Sequence, residues 1–532
     1  MAGSNAKTMP LLTPADLTGL TIPVLLERQA EQSPFRIALS ARSVAGFRDR
    51  LSYAQLVVYM RRIASGLAKL GVQRGDRVGV YLTNDAGREA VLTALGCFSL
   101  GAAVVPLNTR SSAEELSHAL HLVRPLLVVT AMAFRERVQN VYTVPIALLD
   151  GPQAQPPSPD VHRWPEPTVV TDLLPSRVGP FADDTACLLY TSGTTSRPKA
   201  VVHSHSSMLH AGLIMGLAVG LNSNDLYQGA FPFFTSSCLN IGCMSSWVHG
   251  AGFVMEHDIG NAERLRLVES ECVTVYHGVP AILQFMLDEA GQNAYDLCFV
   301  RRIAYGGAAM PPSAIERIAR CWPWMEQVHV WGMTESGPAG AWLPPQLLAA
   351  NAGSMGQAMP YCELRVIDDE GRPTSPGTPG ELLFRGPSMA AGYFENPQAT
   401  AEGFHDGWLH TGDVVVETED GLLWFLDRKK DVVNRGGLKI SSVTVEATLL
   451  RYPGIAEVAV IGIPHDRLGE DVAACIVPFP HMQLDMEALK TWCTRHLADY
   501  EVPRHWKLLD ALPKNPMGKV LKRNLRQMLL PF

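Results

Sequence analysis

Tyr190-Thr-Ser-Gly-Thr-Thr-Ser-Arg-Pro-Lys199 is the stretch from which the rest of the chain can be read. An apolar run, Ala186-Cys-Leu-Leu189, precedes it, so the segment leaves a buried strand. Thr191 to Lys199 holds five Ser/Thr hydroxyls, one glycine and one lysine. Hydroxyls and backbone N–H groups can wrap a polyphosphate, glycine lets the chain approach closely, and lysine adds charge. The spacing is not the Gly-x-x-x-x-Gly-Lys of a Walker loop. On these residues alone the stretch is either a phosphate cradle or an ordinary surface turn.

Upstream, Arg77-Val-Gly-Val-Tyr-Leu82, Gly101-Ala-Ala-Val-Val-Pro106 and Leu126-Leu-Val-Val-Thr130 read as buried strands. They alternate with helical patterns over Tyr53 to Leu70 and Ser111 to Leu122. Such alternation predicts an α/β fold of parallel sheets flanked by helices. Gln153 to Asp160 is a proline-rich surface connection. After about Gly353 the texture changes to short strands at 364–367, 381–385 and 421–426, with turn signals at Asp369-Glu-Gly and Glu419-Asp-Gly. That predicts a small antiparallel β-rich subdomain over 354–427. Asp427-Arg-Lys-Lys-Asp431 is a charged run that reads equally as a linker or a solvated face. Beyond it, a helix over 444–450, strands over 458–462 and 473–477, and a helix from Asp485, its N-cap, to His496 form a separate α+β unit.

Composition narrows the classes of function. The chain has 532 residues, 47% of them hydrophobic and 18% charged, which is ordinary globular usage. Net charge is −7, so no basic excess points to nucleic acid or an anionic membrane. Ten cysteines are sparse and none forms C-x-x-C; the nearest two are Cys238 and Cys243. Reduced, mostly buried thiols are expected rather than disulfides or structural zinc. Met1 to Leu12 lacks the pattern of a secretory signal. The longest apolar-plus-glycine run, Ala211 to Leu221, falls short of the ~20 residues that span a bilayer and reads as a buried core helix. A cytoplasmic protein without membrane insertion is expected, as monomer or homodimer.

Further motifs follow in order: Tyr305-Gly-Gly-Ala308, Trp331-Gly-Met-Thr-Glu335, Trp408-Leu-His-Thr-Gly-Asp413, Asp427-Arg-Lys-Lys-Asp431, Arg435-Gly-Gly-Leu-Lys-Ile-Ser441 and Pro513-Lys-Asn-Pro-Met-Gly-Lys519. With the Tyr190–Lys199 stretch, this series resembles the superfamily of adenylate-forming enzymes: acyl/aryl-CoA synthetases, peptide-synthetase adenylation domains and luciferases. The resemblance covers nearly the whole chain. Two positions depart from the family pattern, Ser196 and Ala200, where glycine is usual.

The resemblance implies carboxylate activation with ATP, Mg²⁺ and coenzyme A. A carboxylate attacks the α-phosphorus to give acyl-AMP and pyrophosphate, and a thiol then displaces AMP. By resemblance, Thr191, Ser192, Gly193, Thr194, Thr195 and Lys199 cradle the β- and γ-phosphates. Gly306, Gly307 and Ala308 form a wall beside the adenine. Trp331, at a place usually held by tyrosine, stacks near it, with Gly332 and Met333 following. Thr334 and Glu335 sit at the α-phosphate, Glu335 as the Mg²⁺ ligand. Asp413 and Arg428 hold the ribose. Lys519 reaches the α-phosphate during adenylation. The implied architecture is a catalytic body over 1–427, a hinge over 428–431 pivoting near Lys430, and a mobile lid over 432–532. Rotation would bring Arg435, Gly436 and Gly437 to the CoA channel in the second half-reaction, with Arg435 in a catalytic role.

The acid pocket implied by the resemblance draws on Phe234, Thr235, Cys238, Leu239, His277, Gly278, Val279 and Tyr305. The segments 234–240, 276–279, 305–309 and 331–337 carry no lysine or arginine, and no acid except Glu335. A free amino acid would want a carboxylate for its ammonium group, so an uncharged, hydrophobic acid is expected. Thr235 stands where many CoA ligases carry histidine. His203, His205 and His210 invite a metal reading, since His203-x-His205 is a possible ligand pair, but no third ligand with suitable spacing follows, and a polar strand-to-helix connection is the favoured reading. The leading expectation is an acid–CoA ligase. Alternatives are an enzyme loading a carrier protein in trans, since no carrier domain precedes the end at Phe532, a luciferase-like monooxygenase, and an inactive adenylate sensor.

Overall fold

The structure is a computed structural model that describes residues 12–149, 161–165, 179–191, 198–291, 293–308, 310–436, 438–514 and 520–529. The chain forms two compact units. Of the described residues, one holds those up to Leu364 together with Phe384–Leu409, and the other holds Arg365–Leu383 and those from His410 onward. The proline-rich stretch 153–160 lies outside the described residues.

The first unit contains two large sheets. The seven-stranded sheet runs in the order Val161–Arg163, Ile146–Leu148, Leu127–Thr130, Arg77–Tyr81, Ala103–Pro106, Thr185–Thr191, Lys199–Ser204. Its neighbours are parallel except the last pair. Val78, Val80, Val104, Val105, Val128 and Val129 are fully buried. Strands covered on both faces need such unbroken apolar runs, which is why these were visible in the sequence. The helices also fall near their expected places, at Tyr53–Lys69 and Ala113–Val123. Ser52 and Ser112 cap them, each with its hydroxyl on the backbone N–H three residues on and a Gln55 or Glu115 side chain returning the bond.

The nine-stranded sheet runs Gln357–Ala358, Gly340–Leu343, Glu326–Gly332, Arg302–Gly306, Val275–Gly278, Leu226–Gly229, Gly252–Met255, Ile37–Arg42, Arg48–Ser52. The central strands from Glu326–Gly332 to Ile37–Arg42 are parallel, and antiparallel strands close both sides. The apolar run at 211–221 belongs to the core helix His205–Val219, ended by Gly220 in the left-handed region at φ +66°. Among the described residues no helix is long and apolar enough to cross a membrane.

In the second unit, residues 413–417 of the strand Trp408–Glu417 pair antiparallel with Leu423–Arg428, from Asp413 opposite Arg428 to Glu417 opposite Leu423. The charged run Asp427–Asp431 therefore begins inside a strand, with Asp427 buried and accepting from Ser442 N–H at 2.5 Å. The C-terminal sheet runs Leu438–Ile440, Val433–Arg435, Gly469–Pro478, Ile455–His465, with His505–Leu508 also paired to Gly469–Pro478. Alternate residues of Ile455–His465 enter two cores. Val458 and Val460 pack with Val445, Leu449 and Leu489, while Ala459 and Ile461 pack with Leu512 and Leu525. Helix Met486–His496 starts at Asp485, whose carboxylate accepts from Glu487 and Ala488 N–H groups.

Candidate active site

Four neighbouring parallel strands end together at glycines: Leu226–Gly229, Val275–Gly278, Arg302–Gly306 and Glu326–Gly332. Ligands of open parallel sheets bind outside such carboxyl ends. A Cβ on Gly306 would stand 2.3 Å from the Val330 carbonyl, so the wall there is bare backbone. Gly307 and Ala308 continue it and are exposed. Trp331 is half-buried, and its ring lies against Gly340, where a Cβ would meet it at 2.6 Å. Gly340 pairs with Gly332 across the antiparallel neighbour, which leaves the indole a flat bed.

Met333 leads into a single turn, Thr334–Ser336. The Thr334 carbonyl accepts from His203 Nε2 at 2.8 Å, and its hydroxyl lies 3.3 Å from Ser236 Oγ. Glu335 is 6% exposed, and its Oε1 accepts from the Tyr393 hydroxyl at 3.0 Å. The Glu335 carbonyl accepts from Ala390 N–H at 2.9 Å. Lys199 Nζ sits 4.6 Å from the centre of the same Tyr393 ring. Burial and the Glu335 charge push the Tyr393 phenol pKa up, so it stays a donor. Thus the lysine that closes the Ser/Thr-rich stretch and the carboxylate of Trp331–Glu335 meet on opposite parts of one tyrosine. A buried carboxylate with a fixed orientation is a hard oxygen donor, which fits Mg²⁺.

The residues expected to form the acid pocket lie on the same strand ends and on segments next to them. Phe233, Phe234, Cys238 and Leu239 are buried, while Val279 is exposed as the cap of helix Pro280–Ala290. Thr235 turns its hydroxyl back to the Pro232 carbonyl at 2.7 Å. Cys238 and Leu239 belong to a π-helical turn, Ser237–Cys243, a geometry common at functional sites. His277 is buried against Tyr227 and Phe231. Tyr305 is fully buried and stacks on His329 at 5.6 Å. Its register opposite Gly278 puts it on the other face of the sheet from His277.

The second unit holds the other named residues. Asp413 is 0% exposed, and Arg428 Nε meets its Oδ1 at 2.5 Å. Arg435 is also buried, with Nε 2.8 Å from Asp471 Oδ1 and Nη1 donating to the Tyr500 carbonyl at 2.8 Å. Gly436 takes a left-handed φ of +61°, and Lys430 lies in a turn. Ser192, Gly193, Thr194, Thr195, Gly437 and Lys519 lie outside the described residues, as do Ser196 and Ala309. Thr191 ends its strand, and Ala200 is buried in the next one.

The sequence matches the AMP-binding enzyme family over residues 26–394 and the AMP-binding enzyme C-terminal domain over 444–519. The chain belongs to the AMP-binding enzyme family. A feruloyl-CoA synthase of Amycolatopsis sp is 32% identical over 505 residues, covering 94% of this chain and 97% of that protein. A 3-[(3aS,4S,7aS)-7a-methyl-1,5-dioxo-octahydro-1H-inden-4-yl]propanoyl:CoA ligase of Mycobacterium tuberculosis is 32% identical over 518 residues, covering 96% and 99%. The fold matches an O-succinylbenzoate coenzyme A synthetase from Bacillus subtilis in complex with ATP and magnesium ion, with TM-score 0.82, 27% identity and coverage of 94% and 99%. The chain is an AMP-forming acid–CoA ligase, using ATP to join a carboxylic acid to CoA through an acyl-AMP.

Three residues outside the motifs touch motif residues: Tyr393 meets Glu335, His203 meets Thr334, and Gly340 lies against Trp331. Tyr393 reaches Glu335 because residues 390–394 run along the strand Lys199–Ser204, with Val202 N–H on the Gly392 carbonyl and Phe394 N–H on the Ala200 carbonyl. The stretch Gly392-Tyr-Phe-Glu-Asn-Pro397 carries no motif that singles it out. Among the described residues His203 joins no group of metal-ligating side chains. Its Nδ1 faces Ser207 Oγ at 3.1 Å while Nε2 donates to Thr334, and burial lowers its pKa to about 4. The strand-to-helix connection expected at 203–210 is there, with all three histidines buried.

Proposed function

We propose that the acid this ligase activates is uncharged apart from its carboxylate, and hydrophobic. The observation that carries this is the chemistry of the strand ends. Phe233, Phe234, Cys238 and Leu239 are buried there, no lysine or arginine occurs in 234–240, 276–279 or 331–337, and the single acid, Glu335, is held by Tyr393. A second charge on the substrate would be desolvated without a partner.

The proposed roles follow from the resemblance. The acid's carboxylate oxygen attacks the α-phosphorus of ATP, and the bond to the pyrophosphate oxygen breaks. Lys199 and the Thr191–Thr195 stretch hold the β- and γ-phosphates, and Lys519 stabilises charge at the α-phosphate. Glu335 would hold Mg²⁺, which when bound offsets charge on the phosphate oxygens. Trp331, Gly306, Gly307 and Ala308 flank the adenine, and Asp413 accepts from the ribose hydroxyls while Arg428 fixes that carboxylate. In the second step the CoA sulfur attacks the acyl carbon and AMP leaves. Arg435, Gly436 and Gly437 would line the pantetheine path, with Arg435 fixed by Asp471 as wall rather than as a mobile donor. A hinge over 428–431, near Lys430, would separate the body 1–427 from the lid 432–532. The cytoplasm, where CoA and ATP are abundant, is the proposed location.

A screen of aryl, alicyclic, medium-chain and amino acids for AMP release, with and without CoA, tests the reading. CoA-dependent turnover with neutral hydrophobic acids is expected. Turnover only with amino acids, or only with a phosphopantetheinylated carrier protein, would overturn it.

A further inference from the structure

His277 is 3% exposed, at the carboxyl end of its strand. Its Nδ1 lies 2.5 Å from the hydroxyl of Tyr227, which is itself fully buried. A phenol is the stronger acid of this pair, so it donates and Nδ1 accepts. Burial keeps the ring neutral, with its pKa lowered to about 3. A neutral imidazole has one N–H, and with Nδ1 accepting it must be on Nε2. Nε2 makes no hydrogen bond to any described residue.

A second group has the same character. Asn240 is 0% exposed, and neither its Oδ1 nor its Nδ2 has a partner among the described residues. It sits in the π-helical turn Ser237–Cys243, which packs against the strand Leu226–Gly229 that carries Tyr227. Tyr227 and His277 share one face of the sheet, since Gly229 is in register with His277. The loop from Gly229 to Ser236 bears Phe231, whose ring meets the His277 ring edge-on at 5.0 Å, then Phe233 and Phe234. A nearly buried N–H and a buried amide without partners among the described residues are unfavourable in an apolar wall. They become favourable when a ligand oxygen arrives.

We propose that the acid carries, on its hydrocarbon tail, an uncharged oxygen acceptor such as a ketone or ether, received by His277 Nε2–H and the Asn240 amide. This rests on the reading of these strand ends as the acid pocket. Two neutral groups can satisfy a dipole but cannot balance a second carboxylate, which is why the acceptor is uncharged. Tyr227 acts at one remove, as a positioning residue that fixes the imidazole tautomer.

The test compares matched acids by kcat/KM for acid-dependent pyrophosphate release. The pairs are cyclohexanepropanoate with its ring-ketone analogue, and phenylpropanoate with its para-methoxy analogue. The wild type is expected to favour the oxygen-bearing member of at least one pair by about tenfold or more, because a site built to hydrogen-bond rejects the analogue lacking the group. His277→Phe should bring that ratio toward one by removing the gain on the oxygen-bearing member. Asn240→Leu and Tyr227→Phe should lower the ratio too, and they carry the test if His277→Phe fails to fold, as judged by thermal unfolding. A wild-type ratio near one in both pairs, or variants that slow both members equally, would overturn the proposal while leaving the acid class standing. Pyrophosphate release with none of these four acids, but with amino acids, would overturn both.

Discussion

Tyr393 shows how one side chain can tie two motifs together. Its hydroxyl donates to Glu335 Oε1 while its ring face carries Lys199 Nζ. The two contacts are separable by substitution. Tyr393→Phe keeps the ring and removes the donor. Hydrogen bonds to a charged group contribute roughly 1.5–3 kcal/mol, so a shift of about tenfold or more is expected in the Mg²⁺ concentration that gives half-maximal pyrophosphate exchange. Tyr393→Leu removes the cation–π contact as well and should also raise KM for ATP. An unchanged Mg²⁺ dependence in Tyr393→Phe would show that the carboxylate is positioned by other contacts. Nothing local in the sequence marks this residue, because it lies 58 positions from Glu335 and reaches it through backbone pairing along another strand. Asp413 and Arg428 were more legible as a pair. They fall on adjacent strands of one hairpin, and a short turn fixes that register.

At the scale of elements, the turn Thr334–Ser336 is held from both sides. Gly337 ends it at φ +68°, and a Cβ there would meet the Ser388 carbonyl at 2.5 Å. Gly337→Ala should therefore destabilise the fold by about 1–3 kcal/mol and displace Thr334 and Glu335. Urea unfolding and the adenylation rate would report the two effects. The seam between the strand Lys199–Ser204 and the helix His205–Val219 makes a second prediction. Burial lowers the pKa of His203 and His205 to about 4. In the unfolded chain histidine titrates near 6.5, so between those values only the unfolded state binds the proton. Stability from each ring is complete above 6.5 and is lost as pH falls from there toward 4. Moving from near pH 7 to near pH 5 should reduce the unfolding free energy by about 2 kcal/mol for each. A flat urea midpoint over that range would contradict the burial of these rings. The strands and helices themselves were plain from apolar runs and capping boxes. The buried state of the histidines was not, because a polar residue in a strand-to-helix connection reads as solvated until the packing of Thr334 on His203 is known.

For the molecule as a whole, order along the chain was the informative quantity. The described residues of the motifs at 190–199, 305–308 and 331–335 fall in the first compact unit, and those from Asp413 onward fall in the second. A single cut after Asp427 is simpler than the contact pattern, because Arg365–Leu383 and His410–Asp427 group with the C-terminal residues. Sequence reading favours contiguous domains, since it sees neighbours along the chain and not the strand pairing that joins Asp413 to Arg428. The proposed division of labour between half-reactions belongs to this scale. Lys519 stands close to the C-terminus, while the Arg435–Gly437 segment lies just past the charged run. If adenylation uses Lys519 at the α-phosphate and thioester formation uses the path beside Arg435, the two steps should respond to different substitutions. Lys519→Ala should lower acyl-AMP formation by about 10²-fold or more, as loss of one fixed charge at a transition state does. The same variant, given synthetic acyl-AMP and CoA, should form thioester at a rate within a few-fold of wild type. Gly436→Val should do the reverse, sparing pyrophosphate exchange and slowing thioester formation, since a left-handed φ disfavours a branched residue and a Cβ there would stand 3.3 Å from the Leu468 side chain. Equal losses in both steps for Lys519→Ala would mean that a single arrangement of the chain serves both reactions, and the hinge near Lys430 would then have no role in catalysis.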